Sequence, residues 1–196
     1  MFTVKQNILL PVLSKELEDI AFSISQNQDI LPRIQYRSGH NIFKIKTAGD
    51  VLEQWVRDNI TTEYYKVGLQ FTTGDLNPHI DGPDADKIYR NYVLLYTIQT
   101  GAKDGVDPAT TFYTTPDGVE FNDRLVTKHL RYRHNPTHKN PGLDVVNSAR
   151  IQAGTWSVIN TQCAHSVDGV GSLRLSLSVS FTKDIMPNFI QEIVNG

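Results

Sequence analysis

Ten residues near the carboxyl end of the chain alternate strictly between polar and apolar side chains, and this alternation constrains the fold most. The segment 172–181 reads SLRLSLSVSF. Because successive side chains of a β-strand point to opposite faces, one face is apolar and the other carries four serines and Arg174. The apolar face must pack against a core. A solvent-facing strand usually carries mixed charged residues, so we interpret the serines and Arg174 as the lining of a narrow cavity; the alternative for Arg174 is an ordinary surface or ion-paired arginine.

The remaining periodicity predicts a mainly β protein with flanking helices. Helices are predicted after Ser14, over 48–59 with an inner stripe at Val51, Leu52, Trp55 and Val56, and over 186–194. Segment 42–46 alternates like an edge strand. Further strands are predicted at about 64–73, 90–100, 110–114, 119–121, 145–152, 155–160, 165–167 and 172–182. Eight or so strands in two sheets indicate a double-stranded β-helix, the jelly roll of cupins. One domain is expected, with an accessory layer at 1–62, a jelly-roll core at 63–183 and a carboxyl-terminal helix at 184–196.

A histidine and an aspartate stand two residues apart at His79 and Asp81. Pro78 before them and Gly82-Pro83 after them suggest a strand that ends in a rigid turn. On a strand, side chains at this spacing point the same way and can reach one metal ion. With six histidines and 21 acidic residues in the chain, such a pair also arises by chance, so an ordinary loop histidine beside a solvated aspartate remains an alternative.

His165, which lies 84 residues after Asp81, is a third candidate metal ligand. The run 154–167 predicts a turn, a strand, a short connection and then His165, and Gly169 and Gly171 permit a reversal into 172–181. We therefore expect His165 and Arg174 on paired antiparallel strands. Two histidines and one carboxylate can occupy one face of a ferrous ion and leave the opposite positions open. An arginine gives bidentate hydrogen bonds to a carboxylate, and the hydroxyl of Ser176 on the same face can add another.

These segments resemble the 2-oxoglutarate and Fe(II)-dependent oxygenases, most closely their aspartyl/asparaginyl β-hydroxylase-like and proline-hydroxylase-like groups. Shared features are a glycine-led strand into the distal histidine, an arginine on the next strand, and an arginine that opens a hydrophobic strand after the proximal ligands, here Arg90 in RNYVLLYTI. The resemblance covers roughly residues 64–182. The β-hydroxylase group often lacks the carboxylate that Asp81 supplies, and the segment between Asp81 and Arg90 is longer than the resemblance leads us to expect.

The resemblance implies a hydroxylase that uses Fe(II), 2-oxoglutarate and O2 and releases succinate and CO2. Its substrate would be an amino acid, a peptide side chain or another small molecule. The implied metal ligands, which are also the catalytic residues, are His79, Asp81 and His165, and the implied cosubstrate contacts are Arg174, Ser176, Arg90 and Tyr92. Two of these contacts have alternatives: Arg90 can form a rim salt bridge with Asp84 or Asp86, and Tyr92, like Tyr96, can simply pack in the core.

Several alternatives stay open. The same strands suit a metal-free jelly-roll binding or structural module, or a cupin-type metal enzyme without 2-oxoglutarate. Segment 128–139 contains three histidines and four cations and can be a metal site, a basic rim for an anionic substrate or a solvated loop. Cys163 can be a ligand or a small buried filler, and Asn160 is a candidate cavity-lining residue.

Composition narrows the class of protein. A length of 196 residues suits one domain with a real core, and a net charge of −2 argues against a dedicated nucleic-acid binder. The single cysteine excludes an internal disulfide and suits a reducing compartment. The sequence has no apolar run long enough to cross a membrane and no secretory signal, so a cytoplasmic enzyme is expected. Its oligomeric state is not indicated.

Overall fold

Two antiparallel sheets face each other across a cavity. The computed structural model describes residues 2–32, 34–38, 41–81, 88–114, 121–124, 127–130 and 143–196. In chain order its elements are β1 Val4–Ile8, α1 Lys15–Gln26, β2 Ile34–Ser38, β3 Asn41–Thr47, α2 Asp50–Asn59, β4 Lys66–Thr72, β5 Leu76–Asp81, β6 Tyr92–Gln99, β7 Ala109–Tyr113, β8 Phe121–Arg124, β9 Thr127–Leu130, β10 Val145–Arg150, β11 Trp156–Asn160, β12 Ala164–Asp168, β13 Arg174–Phe181 and α3 Asn188–Asn195.

The strand order is that of a jelly roll. The large sheet has the order β1-β11-β6-β13-β4-β3-β2, and the small sheet has the order β10-β7-β12-β5-β9-β8. From β4 onward the chain crosses repeatedly between the two: β4, β6, β11 and β13 lie in the large sheet, and β5, β7, β10 and β12 lie in the small one. This alternation is the double-stranded β-helix expected from the sequence, and the fold class is confirmed.

The three helices and the outer face of the large sheet form the main hydrophobic core. Buried side chains of α1, α2 and α3, among them Ala21, Leu52 and Ile190, pack against the apolar half of β13 and its neighbours. Helix α1 begins where the sequence predicts, because the hydroxyl of Ser14 accepts a hydrogen bond from the backbone N–H of Leu17. Each fully buried leucine in such a core stabilises the fold by about 1.5–3 kcal/mol. Because the apolar face of β13 is buried in this core, its face with the serines and Arg174 points to the cavity between the sheets.

Three predictions about elements need correction, and one strand was missed. Segment 42–46 belongs to β3, which is not an edge strand because β2 pairs on its outer side. Strand β1 was not predicted, and it extends the large sheet beyond β11. Val51 is 55% exposed and does not belong to the buried stripe of α2. The first residues of segment 128–139 form part of β9, which pairs with β5, whereas 131–139 lie outside the described residues.

The sequence predicted that His165 and Arg174 lie on paired strands, and this prediction is wrong. Strand β12 pairs with β5 and β7 in the small sheet, whereas β13 pairs with β4 and β6 in the large sheet. The glycine-containing turn between them, with Gly169 at φ +87°, carries the chain across the barrel and does not close a hairpin. The two residues therefore face one cavity from opposite walls. Among the described residues, no helix is long and apolar enough to span a membrane.

Candidate active site

Three side chains predicted to bind one metal ion converge in the structure. One ligand atom from each of His79, Asp81 and His165 lies within 4.8 Å of the other two. His79 and Asp81 occupy alternate positions of β5, so their side chains share the inner face, and His165 is the direct cross-strand partner of His79. The imidazole Nε2 of His79 lies 3.7 Å from Oδ1 of Asp81, and all three residues are buried. Two imidazoles and one carboxylate thus form one compact group of donors.

Backbone hydrogen bonds set the tautomer of both histidines. Nδ1 of His79 lies 2.7 Å from the carbonyl oxygen of Asn77, and Nδ1 of His165 lies 2.8 Å from that of Cys163. A carbonyl oxygen only accepts, so each Nδ1 must carry the proton. In the neutral ring the lone pair is then on Nε2. This arrangement is typical of metal-binding histidines, whose second nitrogen is held by a carbonyl or carboxylate.

The carboxylate of Asp81 is held by a buried arginine. Nη2 of Arg90 donates a hydrogen bond to Oδ2 of Asp81 across 2.6 Å. The contact was not predicted: the sequence suggested either a cosubstrate carboxylate or a rim salt bridge as the partner of Arg90. The alternative partners, Asp84 and Asp86, lie outside the described residues. The structure therefore places Arg90 on the candidate metal ligand itself.

A second charged group lies in the same cavity. Arg174 is only 9% exposed, and among the described residues its one hydrogen bond is a long contact of 3.5 Å from Nη2 to the hydroxyl of Thr110. Burial lowers the pKa of its guanidinium to about 10, and the negative charge of Asp107 partly offsets this shift. The group thus remains charged near neutral pH. A buried cation with so few described partners is costly unless an anion joins it.

One cavity between the sheets is lined both by the triad and by Arg174. Ser176 lies on its wall as predicted, next to Gln70 of the neighbouring strand. The sequence prediction missed Gln70, Thr72 and Thr110; the alternation of Gln70 and Thr72 with Leu69 and Phe71 on β4 is a signal for the first two, whereas β7 has no such pattern around Thr110. Besides the triad, Arg174 and Ser176, the lining consists of Phe43, Gln70, Thr72, Leu76, Val93, Leu95, Thr110, Ile159, Thr161 and Val167.

Three other candidates are placed elsewhere. Tyr92, a predicted cosubstrate contact, packs its ring against Phe2 at a centroid distance of 6.0 Å, in the cluster on the helix side of the large sheet, and is not among the residues that line the cavity. Asn160 donates from its amide to the carbonyl oxygen of Phe2 and does not line the cavity. Cys163 is buried beneath the carbonyl of Tyr113, which agrees with its interpretation as a small filler, and burial raises the pKa of its thiol.

Several solved structures are similar to this chain. The epimerase SnoN, solved in complex with Fe3+, alpha-ketoglutarate and nogalamycin RO, is 12% identical, with a TM-score of 0.55 over 97% of this chain and 84% of that one. A prolyl-4-hydroxylase from Pseudomonas putida is 13% identical, with a TM-score of 0.49 over 92% of both chains. AviO1 from Streptomyces viridochromogenes is 10% identical, with a TM-score of 0.41 over 94% of this chain and 92% of that one. No protein-family model and no curated protein matches this sequence. At 12% identity, the similarity to SnoN shows a similar fold only.

Proposed function

We propose that this protein is a 2-oxoglutarate- and Fe(II)-dependent dioxygenase that hydroxylates an amino acid, a peptide side chain or another small molecule. One observation carries the proposal: His79, Asp81 and His165 converge in the cavity that also contains the buried Arg174. Neither a metal site nor a buried cation alone indicates this chemistry. Their combination in one cavity suits an anionic cosubstrate that binds the metal at one end and an arginine at the other.

The donor set fits ferrous iron. Two neutral imidazoles and one carboxylate leave a residual positive charge on a divalent ion and leave further coordination positions open. When bound there, iron would supply the redox chemistry that couples conversion of 2-oxoglutarate and O2 into succinate and CO2 with hydroxylation of a substrate C–H bond. The protein side chains contribute position and charge. The Nδ1–H bonds of both histidines hold the rings in place before any ion arrives.

Arg174 and its neighbours would bind the far carboxylate of 2-oxoglutarate. The guanidinium can donate two parallel hydrogen bonds to a carboxylate, and the hydroxyls of Ser176 and Thr110 line the same cavity from opposite sheets. A bound carboxylate would compensate the charge that burial leaves poorly solvated, so the interaction is stronger than it would be in water. The dicarboxylate chain would then extend from Arg174 to the metal.

Apolar walls would exclude bulk water from the reaction. Val93, Leu95 and Ile159 line the cavity from the large sheet and offer water no hydrogen-bond partner in their side chains. A dry site also strengthens the electrostatic interactions of Arg174 and the triad. Such walls would keep bulk water away from a substrate bound beside the triad.

The two rival interpretations predict different surroundings for these residues. A metal-free jelly-roll module has no need for three converging ligands with fixed tautomers, and its arginine would pair with a local acid. Among the described residues, Arg174 forms no salt bridge. A cupin-type metal enzyme that does not use 2-oxoglutarate has no need for a buried arginine in the metal cavity. The surroundings of Arg174 thus favour the dioxygenase.

Anaerobic addition of 2-oxoglutarate to the Fe(II)-loaded protein tests the proposal. We expect a weak visible charge-transfer band that appears only when both components are present. After admission of oxygen, succinate should form, and its yield should rise when the correct candidate amino acid or peptide is supplied. An Asp81→Ala protein that keeps its fold should give neither signal. A protein that binds iron but yields no band and no succinate would exclude the use of 2-oxoglutarate.

A further inference from the structure

Arg90 and Asp81 form a buried ion pair at the edge of the candidate metal site. Both side chains are almost completely shielded, and the 2.6 Å distance between Nη2 and Oδ2 is that of a charge-assisted hydrogen bond. The other carboxylate oxygen, Oδ1, is the one that lies 3.7 Å from Nε2 of His79. The arginine thus occupies one oxygen of Asp81 and leaves the second directed at the triad.

The backbone around this pair is fixed from the turn between β11 and β12. The hydroxyl of Thr161 and the amide of Gln162 both donate to the carbonyl oxygen of Arg90, each across 2.7 Å. The same amide of Gln162 donates to the carbonyl oxygen of Asp81 across 3.1 Å, and the N–H of Asp81 donates to the carbonyl oxygen of Thr161 across 3.0 Å. The end of β5 and the start of β6 are therefore tied to one turn.

We propose that Arg90 is a positioning residue that fixes Asp81 as a one-oxygen metal ligand. The inference rests on the metal site of the proposed function and does not require 2-oxoglutarate. With Oδ2 held by Arg90, the carboxylate binds an ion through Oδ1 alone and uses one coordination position. Two histidines and this single oxygen then leave the remaining positions for exogenous ligands. Arg90 acts through Asp81 and contacts neither the ion nor a cosubstrate.

Metal affinity of the apoprotein measures this role without any turnover. Calorimetric titration with Mn(II), a redox-stable substitute for Fe(II), should show binding that is about 10–100-fold weaker for Arg90→Met than for the unmodified chain. In the Asp81→Ala background the same substitution should cause no further loss, because the group that Arg90 orients is gone. Arg57→Met, which removes an exposed arginine of α2, is the matched control and should bind Mn(II) unchanged.

Other outcomes overturn the inference. Unchanged Mn(II) affinity with weaker 2-oxoglutarate binding in Arg90→Met would make Arg90 a cosubstrate contact. An equal loss of Mn(II) affinity in both backgrounds would indicate a merely structural role. Arg90→Lys retains the charge and one donor, so its affinity should lie between those of the unmodified chain and Arg90→Met. If Arg90→Met does not fold, Arg90→Lys must bind Mn(II) more weakly than the unmodified chain, and only while Asp81 is present; any other result contradicts the proposal.

The Mn(II) titration tests the role of Arg90 and the succinate measurement tests the proposed function, so either can fail without the other. A protein whose Mn(II) affinity depends on Arg90 through Asp81, but which forms no succinate, would retain the positioning role and lose the oxygenase assignment. A protein that forms succinate while Arg90→Met binds Mn(II) normally would retain the oxygenase assignment and lose the positioning role.

Discussion

The imidazole rings of His79 and His165 lie 4.3 Å apart, centroid to centroid, at directly paired positions of β5 and β12. Both candidate imidazole ligands therefore come from neighbouring strands of the small sheet, and Asp81 follows two residues later on one of them. Arg174 projects from the large sheet on the other side of the cavity. The proposed metal ligands and the proposed cosubstrate arginine thus come from different sheets and should respond to different substitutions.

Replacement of Arg174 should weaken binding of 2-oxoglutarate while metal affinity is preserved. A hydrogen bond to a charged group contributes about 1.5–3 kcal/mol, which corresponds to roughly 10–100-fold in affinity. We therefore expect Arg174→Met to raise the dissociation constant of 2-oxoglutarate by this factor in calorimetry with Mn(II)-loaded protein. The Mn(II) constant should match that of Arg57→Met. Equal weakening of both ligands would remove Arg174 from the proposed cosubstrate site.

Gly101 should be required for the position of Arg174. Its φ is +72°, and a Cβ atom there would lie 2.9 Å from the carbonyl oxygen of Ser172 and 3.0 Å from the N–H nitrogen of Arg174. Gly101→Ala must therefore strain its own backbone and push the start of β13 away. We expect a loss in free energy of unfolding together with weaker binding of 2-oxoglutarate, measured by denaturant titration and calorimetry.

Gly154→Ala is the matched control for that substitution. Gly154 has the same φ of +72°, but no atom of the described residues lies within 4 Å of an added Cβ. Gly154→Ala should lower the free energy of unfolding only by the cost of a left-handed alanine backbone, about 1–2 kcal/mol. It should bind 2-oxoglutarate normally. If the two variants behave alike, the contact with β13 has no role in cosubstrate binding.

Alkaline pH should destabilise the contact between α1 and the large sheet. Burial and the nearby carboxylate of Glu18, which accepts from the hydroxyl of Tyr96 at 3.1 Å, raise the pKa of Tyr96 from 10.0 to about 12. Below pH 10 the phenol is neutral in both the folded and the unfolded state, so its full contribution to the free energy of unfolding is present. Between pH 10 and 12 the unfolded chain releases the proton first, so stability falls as pH rises.

Urea titrations across this range measure the effect. Tyr96→Phe should show a smaller loss of stability between pH 10 and 12. Tyr64, whose pKa burial and Glu53 also raise to about 12, should account for part of the remaining slope. The free energy of unfolding of a Tyr64→Phe/Tyr96→Phe protein should therefore depend less on pH than that of either single variant. An unchanged slope in Tyr96→Phe would show that this phenol does not titrate at the stated pH.

Lys46 should stabilise the end of α1. Its buried ammonium donates to the carbonyl oxygens of Ile24, Ser25 and Asn27, and it supplies the cation that the last turn of α1 lacks. Lys46→Met should leave these acceptors unsatisfied and cost about 2 kcal/mol of unfolding free energy, measured in denaturant. Lys44→Met, on the same strand and less buried, should cost clearly less. Equal losses would contradict a capping role.

Period-two patterns predicted the parts of the site that lie on single strands. Alternation in 172–181 placed Arg174 and Ser176 in a cavity, and the i, i+2 spacing placed His79 and Asp81 on one face, because both inferences need only the geometry of one strand. The glycine-rich turn after His165 could not be interpreted correctly in the same way. Whether such a turn closes a hairpin or crosses between sheets depends on the strands already present on each side.

The sequence did not reveal the structural partners of Arg90 and Tyr92, and the reason is the same for both. Arg90 precedes β6, so the phase of the strand says nothing about where its long side chain reaches, and the partner Asp81 lies nine residues earlier. Tyr92 alternates in phase with Tyr96, but sequence alone does not say which face of β6 meets the helices. Tertiary packing against Phe2 decides it.

Anaerobic calorimetric titration of the apoprotein with Fe(II) measures the proposed metal site itself. We expect one ion bound per chain, loss of that site in His165→Ala and its retention in Arg174→Met. Iron binding that survives in His165→Ala, or that is absent from the unmodified and correctly folded chain, would show that the three side chains are not a metal site.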